Sequence, residues 1–145
     1  MLPPGYHLRV GAWATLQTGA AAVRMAVFVH EQGIPVAEEW DEGDANALHA
    51  LITDLLGVPV ATGRLLQPQR GLAQIGRMAV LSSHRGLHLG TSILQALCDA
   101  AYARGDTQLV LHAQRSAEGF YRRHGFEPVG EPYDEVGIEH ITMRK

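Results

Sequence analysis

The residues whose types and spacing best indicate chemistry lie in one stretch, 80–94, "VLSSHRGLHLGTSIL". An apolar, strand-like run ends in two serines, passes through "HRGLHLG" and leads directly into an amphipathic helix. Glycines relax the backbone, and the first N–H groups of a helix have no partners within it. Because those amides lie at the positive end of the helix dipole, they can bind an anion. The stretch by itself predicts either an anion-binding turn or an ordinary turn with glycines.

Two familiar phosphate-binding motifs do not account for this stretch. The sequence contains no GxxxxGK[ST] string, which excludes a Walker A loop. A dinucleotide fingerprint needs GxGxxG near the first strand of a βαβ unit, whereas the helix here follows three strands predicted to be antiparallel. An anion bound here would therefore belong to a different class of ligand, and several amides plus Arg85 would be needed to hold a diphosphate.

Composition limits the class of protein. The chain has 145 residues, of which 46% are hydrophobic and 19% are charged, as expected for one globular domain, 1–145. A net charge of -3 makes nucleic acid an unexpected partner. No apolar run approaches the roughly 20 residues that span a bilayer, and the first residues lack a signal-peptide pattern, so we expect a cytoplasmic protein with no membrane partner. The single cysteine, Cys98, excludes an internal disulfide and is expected in the core.

Hydrophobic periodicity predicts an α/β domain with the element order β-α-β-β-β-α-β-α-β-β. Strands are expected at 6–13, 47–57, 58–67, 72–82, 107–114 and in two pieces of the tail, the last at 138–144. Helices are expected at 16–33, 87–104 and 116–125. Segment 47–57 is apolar enough for a helix or a strand, and a strand is preferred because it can form a hairpin with 58–67.

Two helices carry specific expectations. In 16–33, Val23, Val27 and His30 are spaced to form one apolar stripe, and the polar, acidic segment 34–46 that follows is expected to be a loop. In 116–125, Ser116 is expected to cap the N-terminus.

Two long motifs resemble the Gcn5-related N-acetyltransferase (GNAT) superfamily: "IGRMAVLSSHRGLHLGTSILQALCDAA" (75–101) and "LVLHAQRSAEGFYRRHGF" (109–126). Segments 27–52 and 137–145 resemble the ElaA-type branch of that superfamily, so the resemblance covers nearly the whole chain. It implies a mixed, mostly antiparallel central sheet of six to seven strands, flanked by helices on both faces.

The resemblance also implies the cofactor and its binding residues. The family motif R/Q-x-x-G-x-G/A, which binds acetyl-coenzyme A, is matched by Arg85-Gly86-Leu87-His88-Leu89-Gly90. The diphosphate would lie on the N–H groups of 86–91, with the hydroxyls of Thr91 and Ser92 as further donors. The pantetheine arm would pair with the backbone of Met78, Ala79 and Val80, in a groove opened by a fifth strand that splays from the fourth.

One residue departs from the motif. His88 stands where the family most often has glycine. Its side chain would crowd the diphosphate if the backbone there needs a positive φ, or it would project into solvent without effect.

Acyl transfer from the thioester to an amine requires a group that takes the amine proton and a group that protonates the departing thiolate. The resemblance implies that Tyr121, in "FYRRHGF", is the donor to the thiolate; the alternative is that Tyr121 only packs beside Phe120. The base is open. Many family members use a glutamate on the fourth strand, which here offers Gln74 and no carboxylate. His112, His140 and Glu39 are the candidates for the base. The two histidines are candidates because a histidine ordinarily titrates near 6.5.

The segment 38–44, "EEWDEGD", holds five carboxylates in seven residues. It would steer a cationic amine into the groove, or it is a solvated loop whose aspartates cap turns. Arg24 is a candidate partner for these acids. The expected partner is a small-molecule or peptide amine; dimers are frequent in the resembling family, and no metal is expected.

The sequence thus favours an enzyme that moves an acetyl or other short acyl group from acyl-coenzyme A to an amine by direct attack, without a covalent enzyme intermediate. A protein like the acyl-homoserine-lactone synthases is a second possibility, which the shorter length of this chain disfavours. A non-catalytic acyl-coenzyme A sensor or interaction module is a third, because the fourth strand lacks a carboxylate and His88 departs from the motif.

Overall fold

The computed structural model describes residues 2–145 and contains seven strands and four α-helices in one continuous order. The strands are β1 (His7–Ala12), β2 (Leu48–Thr53), β3 (Pro59–Gln69), β4 (Leu72–Val80), β5 (Gln108–Gln114), β6 (Glu127–Glu135) and β7 (Ile138–Arg144). The helices are α1 (Trp13–Arg24), α2 (Val36–Glu39), α3 (Leu89–Ala103) and α4 (Glu118–Arg123).

All seven strands form one sheet in the order β1-β2-β3-β4-β5-β7-β6. Every neighbouring pair is antiparallel except β4 and β5, which are parallel and are connected through α3. Parallel strands need such a crossover, whereas the antiparallel pairs β2–β3, β3–β4 and β6–β7 are connected by short turns. The predicted fold class, a mixed and mostly antiparallel sheet, is confirmed, and the strand assignment of 47–57 is correct for its central part.

Helices α1 and α3 cover opposite faces of the sheet, and a glycine marks the close approach on each face. A Cβ built on Gly19 of α1 would lie 2.6 Å from the Leu51 side chain. A Cβ built on Gly63 of β3 would lie 2.8 Å from Ile93 of α3. Because Leu51 and its neighbours on β2 alternate between the two faces, the strand is buried on both sides, which explains why its sequence is almost continuously apolar.

The first helix differs from its prediction in two ways. It begins at Trp13 instead of residue 16, and residues Met25–Glu31 continue it as a π-helix. A π-helix closes i→i+5 hydrogen bonds, so the spacing of an α-helical stripe no longer holds there. Val23 and Val27 are buried as expected, but Phe28 completes the buried face and His30 is exposed.

Two further local predictions are wrong. Ser116 does not cap the helix that follows, because residues Arg115–Ala117 form a short 3-10 turn and α4 begins only at Glu118 after Ala117. The segment 34–46 is not a plain loop, since it contains α2 and a 3-10 turn over Glu42–Asn46. Among residues 2–145, no helix is both long and apolar enough to cross a membrane.

The feature that positions the site is a gap between β4 and β5. The two strands pair only from Leu72 to Ile75 on the β4 side, and no strand within residues 2–145 pairs with that edge of β4 beyond Ile75. A β-bulge opposite Gly63 interrupts the β3–β4 pairing at the same level, and Arg77 within it has a φ of 51°. Because bulges bend a strand and increase its twist, β4 turns away from β5 and leaves an open groove.

Candidate active site

A cavity of about 720 Å³ fills the gap between β4 and β5. Its walls come from the second half of β4, the end of β5, the start of α4, the π-helical segment and the β6–β7 turn. The cavity brings together eight of the predicted site residues from five elements and the loop before α3: Met78, Ala79, Val80, Arg85, Gly90, His112, Tyr121 and His140. Residues distant in sequence thus converge on one groove.

A second cavity, of about 560 Å³, lies at the N-terminus of α3 and shares Val80, Arg85, Gly90 and Phe120 with the first. No side chain caps this helix, so the N–H groups of its first turn lack the usual partner. The first helical bond is donated by the Ser92 N–H to the His88 carbonyl. The amides of residues 89–91 therefore face an opening with the positive end of the helix dipole behind them.

The turn before α3 depends on left-handed backbone at Gly86, with a φ of 86°, and at His88, with a φ of 61°. Such a conformation is strained for a residue with a Cβ, although histidine tolerates it better than most. Residue 88 therefore has the positive φ at which a side chain in place of the family's glycine is unfavourable. The imidazole is exposed at the rim of the second cavity.

Of three residues predicted at the cofactor site, one can contribute only through its backbone and two direct their side chains elsewhere. Leu89 is buried in the core, so only its backbone reaches the opening. The side chain of Leu87 is 40% exposed and lines neither cavity. The Ser92 hydroxyl donates to the His88 carbonyl at 3.4 Å, which directs it back into its own helix.

Tyr121 lies in the wall of the main cavity between Phe120 and Phe126. Both rings meet it edge-on, with centroids 5.1 Å and 6.0 Å away. No side chain or backbone group within residues 2–145 forms a hydrogen bond with its hydroxyl. Burial raises the pKa of Tyr121, so the phenol keeps its proton in the neutral range.

His140 and His112 lie on adjacent strands and enclose Tyr133. The Tyr133 ring stacks on His140 at 5.9 Å and meets His112 edge-on at 6.3 Å. His140 is buried, and its Nδ1 lies 2.7 Å from the Ile138 carbonyl oxygen. Since a carbonyl only accepts, Nδ1 carries the proton and a neutral His140 has its lone pair on Nε2. His112 is exposed, and its Nδ1 lies 3.0 Å from the Thr142 hydroxyl, which fixes no tautomer.

Arginine side chains form ion pairs with three of the five carboxylates in the acidic segment 38–44. Arg24, only 1% exposed, donates to Glu39 at 2.6 Å and to Asp44 at 2.8 Å. Arg64 binds Asp41 through two nitrogens, at 2.7 Å and 2.9 Å. These ion pairs, buried at Glu39 and Asp44 and partly exposed at Asp41, lie at one end of the cavity.

Two consequences follow for the predicted roles of this segment. Glu39 lines the cavity, and burial raises its pKa against the opposing hydrogen bond from Arg24. Two carboxylates, those of Glu38 and Glu42, are exposed and form no ion pair within the described chain, so steering of a cationic amine would depend on them. Only Glu38 of these two lines the cavity.

Several residues that line the groove were not singled out from the sequence, among them Glu31, Gln32 and Val136. Glu31 and Gln32, at the end of the π-helical segment, were assigned only to a helix, and Val136 was assigned to the tail. Val136 occupies the β6–β7 turn with a φ of 47°, next to Gly137 with a φ of 79°. A two-residue hairpin turn with a positive φ at both residues favours asparagine followed by glycine. The glycine of "VG", between two strand-like segments, was therefore the sequence signal for this turn.

Comparison with known proteins agrees with this geometry. Residues 19–145 match the family model described as an acetyltransferase (GNAT) domain. The chain belongs to the GNAT family. It is 37% identical over 124 residues to the uncharacterized N-acetyltransferase YjcF of Bacillus subtilis, a match that covers 85% of this chain and 87% of that protein.

Two solved structures show the same fold over nearly the whole chain. An acyl-CoA N-acyltransferase from Pseudomonas aeruginosa has a TM-score of 0.86 and 32% identity, covering 97% of this chain and 99% of that one. Escherichia coli ElaA has a TM-score of 0.85 with the same coverage, and its curated sequence is 34% identical over 129 residues, 85% of this chain and 82% of ElaA. The predicted GNAT membership of the ElaA type is confirmed, and the family supports acyl transfer with acyl-coenzyme A as cosubstrate.

Proposed function

We propose that this GNAT protein moves an acetyl or other short acyl group from acyl-coenzyme A to the nitrogen of an amine by direct attack. The observation that carries the proposal is that the edge of β4 beyond Ile75, which no strand within residues 2–145 pairs with, faces a cavity that Tyr121 also lines. In the reaction the amine nitrogen forms a bond to the thioester carbonyl carbon, the carbon–sulfur bond breaks, and coenzyme A leaves as a thiol.

Cofactor binding would use backbone groups in both cavities. The amide-rich pantetheine arm can pair like an added strand with Met78, Ala79 and Val80, because that edge of β4 has no strand partner. The diphosphate would lie against the uncapped amides of residues 89–91 and those of the preceding turn. Arg85, which lines both cavities, adds a positive charge at the junction.

Tyr121 would protonate the departing sulfur. Its hydroxyl has no competing partner within residues 2–145, and burial keeps the phenol protonated in the neutral range. Because a thiolate, whose thiol has a pKa of about 8.5, is a weaker base than a phenolate, the proton would move only in concert with the breaking of the carbon–sulfur bond, as negative charge develops on the sulfur. The two flanking phenylalanine rings fix the direction of the hydroxyl.

His140 would take the proton of the attacking amine, directly or through water. The Ile138 carbonyl holds the proton on Nδ1, which leaves Nε2 as the basic atom on a residue that lines the cavity. His112 lines the same cavity without such a fixed tautomer and remains the second candidate. Glu39 is the third, although Arg24 already occupies one of its oxygens.

The proposal is tested by calorimetric titration with acetyl-coenzyme A, followed by measurement of thiol release with a panel of primary amines. Binding together with amine-dependent thiol release is the expected result. Binding without release for any amine would favour the acyl-coenzyme A sensor, and the absence of binding would refute the proposal.

A further inference from the structure

A two-pronged ion pair joins the end of the π-helical segment to the loop before α3. Arg85 Nη1 and Nη2 each lie 2.7 Å from an oxygen of Glu31, 54 residues earlier in the chain. The third nitrogen of the guanidinium, Nε, donates to the Val80 carbonyl at 3.1 Å. The head of Arg85 is therefore held against the edge of β4 by one carboxylate and one backbone oxygen.

The residue after Glu31 reaches the opposite wall of the groove. Gln32 and Gln114, at the end of β5, exchange two amide hydrogen bonds of 2.8 Å and 3.3 Å. Neighbouring residues of one segment thus bind the β4 side and the β5 side of the same gap, and all four partners line the cavity. We call these four residues, Glu31, Gln32, Arg85 and Gln114, the clasp.

The clasp occupies groups that the proposed cofactor layout needs, so this inference rests on the proposed function. The Val80 carbonyl belongs to the free edge of β4 that would pair with pantetheine, and Arg85 already donates to it. In the guanidinium that would face the diphosphate, Nη1 and Nη2 already donate hydrogen bonds to Glu31. The negative carboxylate of Glu31 also lies beside the proposed diphosphate-binding site. The hydrogen bond from Arg85 lowers the pKa of Glu31, so this carboxylate stays charged near neutrality.

We propose that the clasp is an autoinhibitory contact, in which coenzyme A must displace Glu31 from Arg85 before it can seat. On binding, the Val80 carbonyl is released to the pantetheine arm, and Arg85 exchanges the Glu31 carboxylate for the phosphates. Glu31 is thereby a residue that sets the affinity for the cofactor without contacting the reacting atoms. The π-helix that ends at Glu31, directly before Gln32, supplies an element whose hydrogen bonding can readjust when the clasp opens.

The test is the dissociation constant of coenzyme A, measured by calorimetry for wild type, Glu31→Gln, Arg85→Ala and the double variant. Glu31→Gln removes the charge at nearly constant size and should bind coenzyme A about two- to fivefold more tightly, as expected for an exposed ion pair. Arg85→Ala should bind more weakly. In the Arg85→Ala background, Glu31→Gln should have no further effect, because the contact that it loosens is already absent.

Glu38→Gln is the matched control. It also removes one exposed carboxylate that lines the cavity, but Glu38 does not touch Arg85. It should bind coenzyme A within about 1.5-fold of wild type, because screening weakens an unpaired exposed charge. Thermal melting of each variant establishes that the fold is retained.

Each of the remaining outcomes would overturn the inhibitory contact, and the last would overturn the proposed function as well. Equal or weaker binding by Glu31→Gln would mean that Glu31 holds Arg85 in its productive position, and the clasp as an inhibitory contact would be wrong. The same gain in the Arg85→Ala background, or in Glu38→Gln, would assign the effect to general repulsion of a polyanion and would also overturn it. No binding by any variant would refute the proposed function together with the clasp.

Discussion

The Ile138 carbonyl oxygen lies 2.7 Å from His140 Nδ1 and so determines which nitrogen of this buried imidazole is basic. His140→Asn is the informative change, because an asparagine amide can still donate to that carbonyl while the Nε2 lone pair is lost. We expect turnover to fall about 100-fold or more, the ordinary contribution of a positioned base. Steady-state thiol release measures this loss.

His112→Asn is the control for that prediction. It changes the same residue type in the same cavity, on the neighbouring strand. It should reduce turnover only slightly. If His112→Asn lowers turnover about 100-fold and His140→Asn lowers it only slightly, the two roles are exchanged.

Replacement of Tyr121 by phenylalanine removes one oxygen and keeps the edge-on contacts with Phe120 and Phe126. Because the hydroxyl has no hydrogen-bond partner within residues 2–145, the free energy of unfolding should change little. Turnover should fall about 100-fold in steady-state thiol release, while the dissociation constant of acetyl-coenzyme A stays the same. Tyr102→Phe, on the exposed side of α3, is the matched change with no expected effect. Equal losses in both variants would remove Tyr121 from the mechanism.

The left-handed backbone before α3 predicts opposite effects at two neighbouring positions. His88→Gly should stabilise the fold by about 1 kcal/mol, because glycine adopts a φ of 61° without strain. Gly86→Ala should destabilise it by a similar amount, since its φ is 86° and no atom lies within 4 Å of the added Cβ, so that only backbone strain contributes.

Thermal melting should therefore show shifts of about 2–4 °C in opposite directions. A fall in the melting temperature of His88→Gly would mean that the imidazole makes a stabilising contact that outweighs the strain.

The ion pair between Asp41 and Arg64 predicts how stability depends on pH. The hydrogen bond from Arg64 lowers the pKa of Asp41 from 3.8 to about 2. A carboxyl with a lowered folded-state pKa stabilises the fold fully above its unfolded value, and this contribution is lost as the pH falls from 3.8 towards 2. Asp41→Asn keeps an oxygen for the Gly43 N–H and should cost about 1 kcal/mol near pH 7, since Asp41 is partly exposed.

Urea unfolding from about pH 7 down to about pH 2 should show this difference shrinking below the unfolded value of 3.8, with a small part of it still present at about pH 2. Glu42→Gln, an exposed neighbour without an ion pair within the described chain, should show no difference at any pH. A constant difference for Asp41→Asn across the range would contradict the ionic origin of its stabilisation.

Much of the fold could be predicted because its signals are local. The alternation and turn residues of 58–67 and 72–82, and the apolar stripe of 87–104, required no knowledge of distant contacts. The predictions that were wrong depended on tertiary context. His30 left the predicted stripe because the helix widens into π turns, and Ser116 lost its capping role because a 3-10 turn precedes α4. Neither change has a distinct residue pattern.

The sequence by itself determined the family, the element order apart from α2, and the glycine turn before α3, because these depend on residues close together in the chain. Only the tertiary structure decided which nitrogen of His140 is basic, that Arg24 and Arg64 neutralise most of the acidic segment, and that Glu31 holds Arg85. The physical reason is distance along the chain: hydrogen bonds and ion pairs act over about 3 Å in space, and the partners of Arg85 and Arg24 are brought within that range only when the sheet and its covering helices assemble.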